Sequence, residues 1–360
     1  MINDIKVSVI LPSLNVKKYI RECIDSVIHQ TLKEIEVIFV DAGSTDGTLE
    51  ILEEYSSKDD RITLIRSDKK SYGYQVNLGI RQAKGKYIGI VETDDFIDPK
   101  MYEELYEYAC QLNADVVKSP YIDYYSKKRS MVCYYAESLN SILPDHCFSC
   151  KEYGHILGYH ASVWAGLYKK EYLTENDIYF VEAPGAGYVD VGFRYDSCIN
   201  TQNCAWYPKP LYFYRVSSEG SSTNNFNLGT MIRRWNELHI KSQTIKEDFD
   251  RYYGPYLVFD EYLNTVVYLK VKSISKEEFA MLKENISYLN EDMVLNSPIM
   301  KQYEKNDLLS FMRNPEKYVD RYQPFIPVIG LFKRSLNQFF PKGSRRRAFL
   351  KKIRLLLRKI

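Results

Sequence analysis

Over the first 120 residues, short apolar runs alternate with segments whose apolar positions fall three and four residues apart. The apolar runs predict buried strands, and the helical spacing predicts amphipathic helices between them. Buried strands that alternate with helices are typical of an α/β fold whose mostly parallel sheet has helices on both faces. The predicted strands are 7–11, 35–40, 62–65 and 87–91, and the predicted helices are 17–29, 48–55, 75–83 and 101–112.

The remaining pattern divides the chain into three parts. Residues 113–225 carry many tyrosines and short Gly or Pro breaks, so they are predicted to complete one domain, 1–225. Residues 226–323 are predicted to form a helical C-terminal region, and 324–360 a basic tail. The helices predicted in the C-terminal region are 233–244, 256–272 and 276–289.

Polar side chains follow several of the predicted strands at the point where each strand ends. Asn15 follows the first strand, Asp41 closes the second, and Glu92, Asp94 and Asp95 come after the fourth. Because the carboxyl ends of parallel strands meet at one edge of a sheet, these residues are expected to lie together. Neighbouring carboxylates repel one another, and a hard divalent cation that arrives with substrate phosphates would relieve this repulsion. The sequence therefore predicts a cation and phosphate site at this edge.

The glycines exclude two common phosphate-binding patterns. No G-x-G-x-x-G turn follows the first strand, and no G-x-x-x-x-G-K-[ST] loop is present, which disfavours dinucleotide-binding and P-loop proteins. Asp41 can instead accept a hydrogen bond from a base N–H or a ribose hydroxyl. The loop 43–46 after it is also typical of a turn that caps a helix. For Asp41 or Asp94 alone a structural role is an equal alternative, and only their joint placement favours a site.

Three segments carry a resemblance to a known family. Residues 7–15 (Val-Ser-Val-Ile-Leu-Pro-Ser-Leu-Asn), 40–46 (Val-Asp-Ala-Gly-Ser-Thr-Asp) and 92–95 (Glu-Thr-Asp-Asp) resemble the family 2 glycosyltransferases of the GT-A fold, over roughly residues 5–220. The resemblance implies a GT-A nucleotide-sugar-binding domain. It also implies inverting transfer of a sugar from a nucleotide-sugar, usually a UDP-sugar, with Mn²⁺ or Mg²⁺.

The resemblance assigns roles to individual residues. It implies that Asp41 recognises the base, that Asp94 is the metal ligand, and that Asp95 lies beside it at the metal. The residues that match the donor nucleotide-binding positions are Pro12, Asn15, Asp41, Glu92 and Asp94. Arg215 is predicted to reach the diphosphate from a segment that closes over the donor, and a surface ion pair is the alternative role for it.

The catalytic base is expected in the second half of the domain. Inverting displacement needs a carboxylate that accepts the proton of the acceptor hydroxyl. The segment 184–193 resembles the family's glycine-rich loop and following helix, which implies that Asp190 is the base, with Tyr188 on the acceptor side. A helix N-cap is the alternative role for Asp190, and both roles can hold together. The segment 164–169 resembles an acceptor-side loop, so Trp164 is a second acceptor-side candidate, and packing of Trp164 in the core is nearly as well supported.

The sequence departs from the family pattern at three positions. Ala42 stands where a second Asp is common, Glu92 stands where Asp is common, and Val76 stands where an Arg is frequent. These departures leave open a non-catalytic module that binds nucleotide-sugars or glycans on the same fold. A nucleotidyltransferase of related fold is disfavoured, because the loop after the first strand is not rich in glycine and basic residues.

Charge is unevenly distributed along the chain. The net charge is +2, but residues 331–360 hold eleven Lys or Arg and no acid, which leaves −9 for the first 330 residues. An acidic body of this kind does not suit a nucleic-acid binder. Residues 345–360 place apolar and cationic side chains on opposite sides of a helix, which predicts attachment to an anionic membrane surface. Packing of this helix on the acidic body, or a solvated charge run, are the alternatives.

Cysteine usage favours a reducing compartment, because seven cysteines are scattered through a large chain. Cys147 and Cys150 have the spacing of a metal or redox pair, but no second pair exists, and His146 and His155 do not complete a convincing zinc site. Reduced thiols are therefore predicted. With no evident secretory leader, we expect a cytoplasmic protein on the inner face of the cell membrane, acting on a glycan or lipid-linked acceptor.

Overall fold

The computed structural model describes residues 4–125, 130–134, 136–158, 162–216, 228–270 and 274–322. The strands in these ranges are β1 (Val7–Ser13), β2 (Ile35–Asp41), β3 (Ile62–Arg66), β4 (Tyr87–Ile90), β5 (Phe96–Ile97), β6 (Val116–Lys118), β7 (Tyr121–Tyr125), β8 (Ser130–Tyr134), β9 (Gly166–Lys169), β10 (Cys204–Trp206) and β11 (Tyr212–Arg215). The α-helices are α1 (Ile20–Ile28), α2 (Thr48–Ser56), α3 (Tyr72–Gln82), α4 (Met101–Leu112), α5 (Ala136–Asn140), α6 (Lys170–Glu175), α7 (Val189–Ile199), α8 (Leu228–Ser242), α9 (Lys246–Asp248), α10 (Gly254–Asn264), α11 (Lys276–Ser287), α12 (Glu291–Leu295), α13 (Gln302–Arg313) and α14 (Pro315–Tyr322).

Within the described ranges, seven strands form the main sheet in the order β10-β6-β9-β4-β1-β2-β3. Its strands run parallel except β9, which lies antiparallel between β4 and β6. Every residue of β1, β2 and β4 is buried, which explains why these strands are continuous apolar runs instead of alternating ones. The predicted α/β fold with a mostly parallel sheet is confirmed.

Four further strands form a second sheet, in the order β5-β11-β7-β8. Its strand β11 pairs antiparallel with β5, which directly follows Asp95, and parallel with β7. This pairing places Arg215, the last residue of β11, next to the turn that carries Asp94 and Asp95. The sequence did not predict this sheet, because its strands are short and rich in tyrosine.

The C-terminal region is helical, as predicted, although the bounds and number of its helices differ from the predicted ones. The helix predicted over 256–272 ends at Asn264 and is followed by a 3₁₀ turn, Val266–Lys270. Thr265 and the valines after it are β-branched and lose side-chain freedom in an α-helix, which accounts for the early end. By contrast, α11 begins where predicted because Ser275 and Glu278 form a reciprocal capping box.

The predicted tail, 324–360, lies outside the described residues, and so does its amphipathic helix. The domain boundaries after residues 225 and 323 stay predictions. None of the helices that the structure describes is long and apolar enough to cross a membrane.

Candidate active site

The loops after β1 and β2 are joined to each other by hydrogen bonds. The two strands end in register at Ser13 and Asp41, so both loops start from the same edge of the sheet. Asn15 accepts a bond at Oδ1 from the Thr45 N–H (2.8 Å) and donates its own N–H to Ser44 Oγ (2.9 Å). Its φ of 53° is left-handed, a conformation that asparagine adopts more readily than most residues. Asn15 therefore fixes the shape of the predicted nucleotide pocket.

Asp41 organises its own turn. The side chain is 1% exposed, and Oδ2 accepts bonds from the N–H groups of Gly43 (2.8 Å) and Ser44 (2.9 Å). Oδ1 accepts a bond from Ser44 Oγ (2.5 Å). Gly43 has a φ of 82°, and no heavy atom lies within 4 Å of the position that a Cβ would take, so its backbone is uncovered on that side. The contact of Asp41 with a base stays a prediction, and both of its oxygens are already bound to the protein.

Along residues 92–95, half-buried and buried side chains alternate. Glu92 and Asp94 are half-buried, while Thr93 and Asp95 are buried. The Thr93 hydroxyl donates to the Pro12 carbonyl (2.9 Å), which fixes this segment to the end of β1. Within the described residues, the Asp94 carboxylate has no hydrogen bond or ion pair. Asp94 is therefore the acid of this segment that is free to bind a ligand.

Glu92 lies where three acidic charges meet. Its Oε1 accepts a bond from the Tyr72 hydroxyl (2.5 Å). Burial raises the pKa of Glu92 to about 8. The charges of Asp94 and Asp190 also raise this pKa, whereas the hydrogen bond from Tyr72 lowers it. The carboxylates of Asp94 and Asp190, which lie far apart in sequence, therefore lie near Glu92, and the space that these three acids border is called the cleft below.

Asp95 and Arg215 lie beneath this segment and not in the cleft. Asp95 is 1% exposed and accepts bonds from the Tyr212 hydroxyl (2.9 Å) and the Arg215 N–H (2.7 Å). The Arg215 guanidinium, 5% exposed, donates from Nε to the Asp94 carbonyl (2.7 Å) and from Nη2 to Glu22 (2.5 Å). In this structure Arg215 supports the segment that carries Asp94, and its diphosphate contact stays a prediction. Asp95 is held in the interior by its two hydrogen bonds, so Asp94 stays the favoured metal ligand.

Replacing Arg215 with methionine is expected to destabilise the protein by about 1–3 kcal/mol, because the Asp94 carbonyl and Glu22 lose their donor. Thermal unfolding measures this, with Arg21→Met as the control, since Arg21 forms an exposed ion pair with Glu54. The control is expected to change little. Unchanged stability of Arg215→Met together with a raised KM for the donor would instead support the diphosphate contact.

Asp190 lies in the first turn of α7 and is half-buried. A helix N-terminus stabilises a carboxylate at this position. The loop before it is attached to the start of α3, because Gly185 accepts from the Tyr72 N–H (2.9 Å) and donates to the Lys70 carbonyl (2.9 Å). Since Tyr72 also binds Glu92, one segment positions the predicted base and the donor-side acids together.

The sequence interpretation missed three supporting residues, all on α3. Besides Tyr72, these are Gln75, whose Nε2 donates to the carbonyls of Ser13 (3.0 Å) and Val40 (2.6 Å), and Asn77, which pairs with the backbone of Phe180. Gln75 ties together the ends of β1 and β2. Buried amides on an otherwise apolar helix face were the available signal, since such groups must find partners.

The two acceptor-side candidates differ in their surroundings. Trp164 is 5% exposed and stacks on Tyr212 at 4.2 Å between ring centroids and on Tyr214 at 5.4 Å. It packs in the core, as the alternative predicts, and its acceptor-side role stays a prediction. Tyr188 is half-buried at the start of α7 with a φ of 57°, and it remains an acceptor-side prediction.

The acids of the cleft suit a cation that arrives with its own ligands. Within the described residues, no three acids bring carboxylate oxygens within 4.8 Å of one another. The protein therefore does not build a complete cage. Mg²⁺ and Mn²⁺ are commonly held by one or two carboxylates plus substrate phosphates and water, and Asp94 fits that arrangement. The choice of Mn²⁺ or Mg²⁺ stays a prediction.

Metal-free protein is expected to lose stability through Glu92 as pH rises. The pKa of Glu92 is about 8 in the folded state, against an ordinary value of 4.5. The contribution of protonated Glu92 to the free energy of unfolding is therefore complete below pH 4.5 and is lost by pH 8. In thermal unfolding with chelator, the melting temperature of Glu92→Gln relative to that of the wild type should rise between about pH 5 and 8. The control is Glu50→Gln, at an exposed site. A difference between Glu92→Gln and wild type that does not vary with pH would contradict the expectation.

Comparison with known proteins agrees with the α/β fold. Residues 8–171 match the family model described as Glycosyl transferase family 2. The fold and this match identify residues 8–171 as a glycosyltransferase family 2 domain of the GT-A type.

The chain is 32% identical over 215 residues to the uncharacterized glycosyltransferase EpsJ of Bacillus subtilis (strain 168), which covers 58% of this chain and 60% of that protein. It is 34% identical over 134 residues to a chondroitin synthase of Escherichia coli, covering 37% of this chain and 17% of that protein. The chain thus spans less than two thirds of these relatives. The crystal structure of S. aureus TarS 1-349 in complex with UDP-GlcNAc has the same fold, with a TM-score of 0.63, 21% identity and 92% coverage of both chains.

Proposed function

We propose that this protein is an inverting glycosyltransferase that moves a sugar from a UDP-sugar to a hydroxyl of a glycan or lipid-linked acceptor, in polysaccharide synthesis. The observation that carries the proposal is the nearness of Asp94 and Asp190 to Glu92, whose partner Tyr72 also holds the loop before Asp190. A donor-side acid and a base on a separate helix are the two groups that inverting transfer needs. The names of the relatives, among them a chondroitin synthase, support a polymer product.

In the proposed mechanism Asp94 would hold Mn²⁺ or Mg²⁺, and the ion would supply positive charge to stabilise the diphosphate as a leaving group. Asp190 accepts the proton of the acceptor hydroxyl. The acceptor oxygen then bonds to the anomeric carbon from the face opposite the nucleotide, and the bond from that carbon to the diphosphate oxygen breaks. Asn15 and the Asp41 turn, already fixed by their mutual contacts, line the nucleotide side of the cleft.

A panel of nucleotide-sugars tests this function, with UDP-GlcNAc as the first member because the TarS neighbour was crystallised with it. A donor that binds the folded state raises the melting temperature, and at equal concentration a tighter donor raises it more. We expect thermal stabilisation that requires Mn²⁺ or Mg²⁺, together with release of nucleoside diphosphate when acceptor is supplied. Stabilisation without release from any donor and acceptor would favour the non-catalytic binding module.

We further propose that the basic tail attaches the enzyme to an anionic membrane surface, where a lipid-linked acceptor would be found. Support comes from the eleven basic residues in 331–360 and from their separation from the apolar positions. Deleting 331–360 should release the protein from anionic vesicles at moderate salt while donor stabilisation stays unchanged. Equal sedimentation of the full and shortened chains would refute this role.

A further inference from the structure

A second cluster of chemically reactive side chains lies away from the cleft. The sulfur atoms of Cys150, Cys198 and Cys204 all lie within 4.8 Å of one another, and all three residues are buried. They come from three separate segments: the turn after Phe148, the end of α7, and the start of β10. No pair of these cysteines has the short spacing of a sequence motif.

The fold divides the cysteine pair that the sequence singled out. Cys147 turns away and contacts the Leu112 carbonyl (3.4 Å). Phe148 forms an antiparallel bridge with Cys204, exchanging backbone hydrogen bonds of 2.9 and 3.0 Å, which brings Cys150 toward Cys204. The described cysteines are free thiols, in agreement with the prediction of reduced thiols, and the tertiary fold brings three of them together.

One buried cation lies close to the three sulfurs. Hydrogen bonds among the thiols lower the pKa of Cys198 and raise the pKa of Cys150 and of Cys204, so the cluster shares its protons unequally. Lys118 is buried, its ammonium donates to the Ser162 carbonyl and to the Tyr168 hydroxyl, and its charge acts on Cys198. The cluster is therefore a compact group of three sulfurs with a buried lysine beside it.

We propose that Cys150, Cys198 and Cys204 bind one thiophilic divalent cation, and that Zn²⁺ is the ion that charge balance favours. Three thiolates around Zn²⁺ carry one net negative charge, which the Lys118 ammonium neutralises. Zinc–sulfur bonds of ~2.3 Å place pairs of sulfurs about 3.8 Å apart in tetrahedral geometry, so the three sulfurs need only small shifts. Binding releases up to three thiol protons to solvent. The ion would join α7, which carries Asp190 at its other end, to β10.

The full chain, stripped with chelator under reducing conditions and then given ZnCl₂, tests the site. We expect about one Zn²⁺ per chain after gel filtration, as for a structural zinc site. The melting temperature should rise with Zn²⁺ and fall again with chelator. Co²⁺, used as a spectroscopic probe, should give a thiolate-to-cobalt charge-transfer band.

Cys198→Ser is expected to lose the bound Zn²⁺, the stabilisation and the cobalt band, while Cys110→Ser keeps all three because Cys110 is exposed and outside the cluster. The wild-type cobalt spectrum needs no variant, so the test stands even if Cys198→Ser does not fold. A wild type whose thiols are all reduced but which shows no band and no retained Zn²⁺ would overturn the proposal. Retention of Zn²⁺ by Cys198→Ser equal to the wild type would also overturn it.

Discussion

Replacing Asp190 with asparagine is expected to reduce sugar transfer by about 10²–10⁴-fold, the usual contribution of a general base. Asparagine keeps the size of the side chain but cannot accept the hydroxyl proton. Donor binding should survive, because no hydrogen bond in the nucleotide loops involves Asp190, and one fewer negative charge then acts on Glu92. The loss should therefore fall on kcat, with the dissociation constant of the metal–UDP complex unchanged.

Two measurements separate a base from a structural acid at this position. Transfer is followed by release of nucleoside diphosphate, and binding by calorimetry with UDP and Mn²⁺. Asp177→Asn is a matched control, because Asp177 is exposed and has a φ of 52° that asparagine also tolerates. Normal turnover by Asp190→Asn would remove the proposed base. A parallel loss of UDP binding would mean that Asp190 shapes the donor side.

The donor edge of the fold could be predicted because its signals are local. The strands that end at Ser13 and Asp41 are buried throughout and almost wholly apolar, and a parallel sheet brings their carboxyl ends together whatever lies between them. The same holds for β4, which Glu92 and Asp94 follow. An acidic site at this edge is therefore predictable from the sequence.

Other roles depend on tertiary contacts that no local pattern encodes. Arg215 sits in β11, and its pairing with the turn after β4 decides that the guanidinium supports Asp94 from below. Trp164 stacks on two tyrosines of that same strand, which decides that it is core. The sequence marks both residues as candidates for the site. The way each side chain points depends on short strands of three to five residues, which show no clear alternation of apolar and polar positions.

Replacing Asp94 with asparagine is expected to remove metal-dependent donor binding and to lower transfer at least about a hundredfold, because a bound cation supplies several kcal/mol of charge stabilisation. Stability should hold or rise, since the Asp94 carboxylate has no hydrogen bond or ion pair to lose within the described residues. Relief of repulsion with Glu92 acts in the same direction.

Asp95→Asn is the matched comparison, because it makes the same chemical change one residue further along the chain. Both Asp95 oxygens accept hydrogen bonds from the interior, so an amide there places its NH₂ group against a donor. We expect a stability loss of about 1–3 kcal/mol, with metal-dependent UDP binding retained in the fraction that stays folded. Calorimetric titration of Mn²⁺ and UDP, read beside thermal unfolding, distinguishes the two variants. If Asp95→Asn loses metal-dependent binding while Asp94→Asn keeps it, the cation binds the buried acid, and the turn must open to admit it.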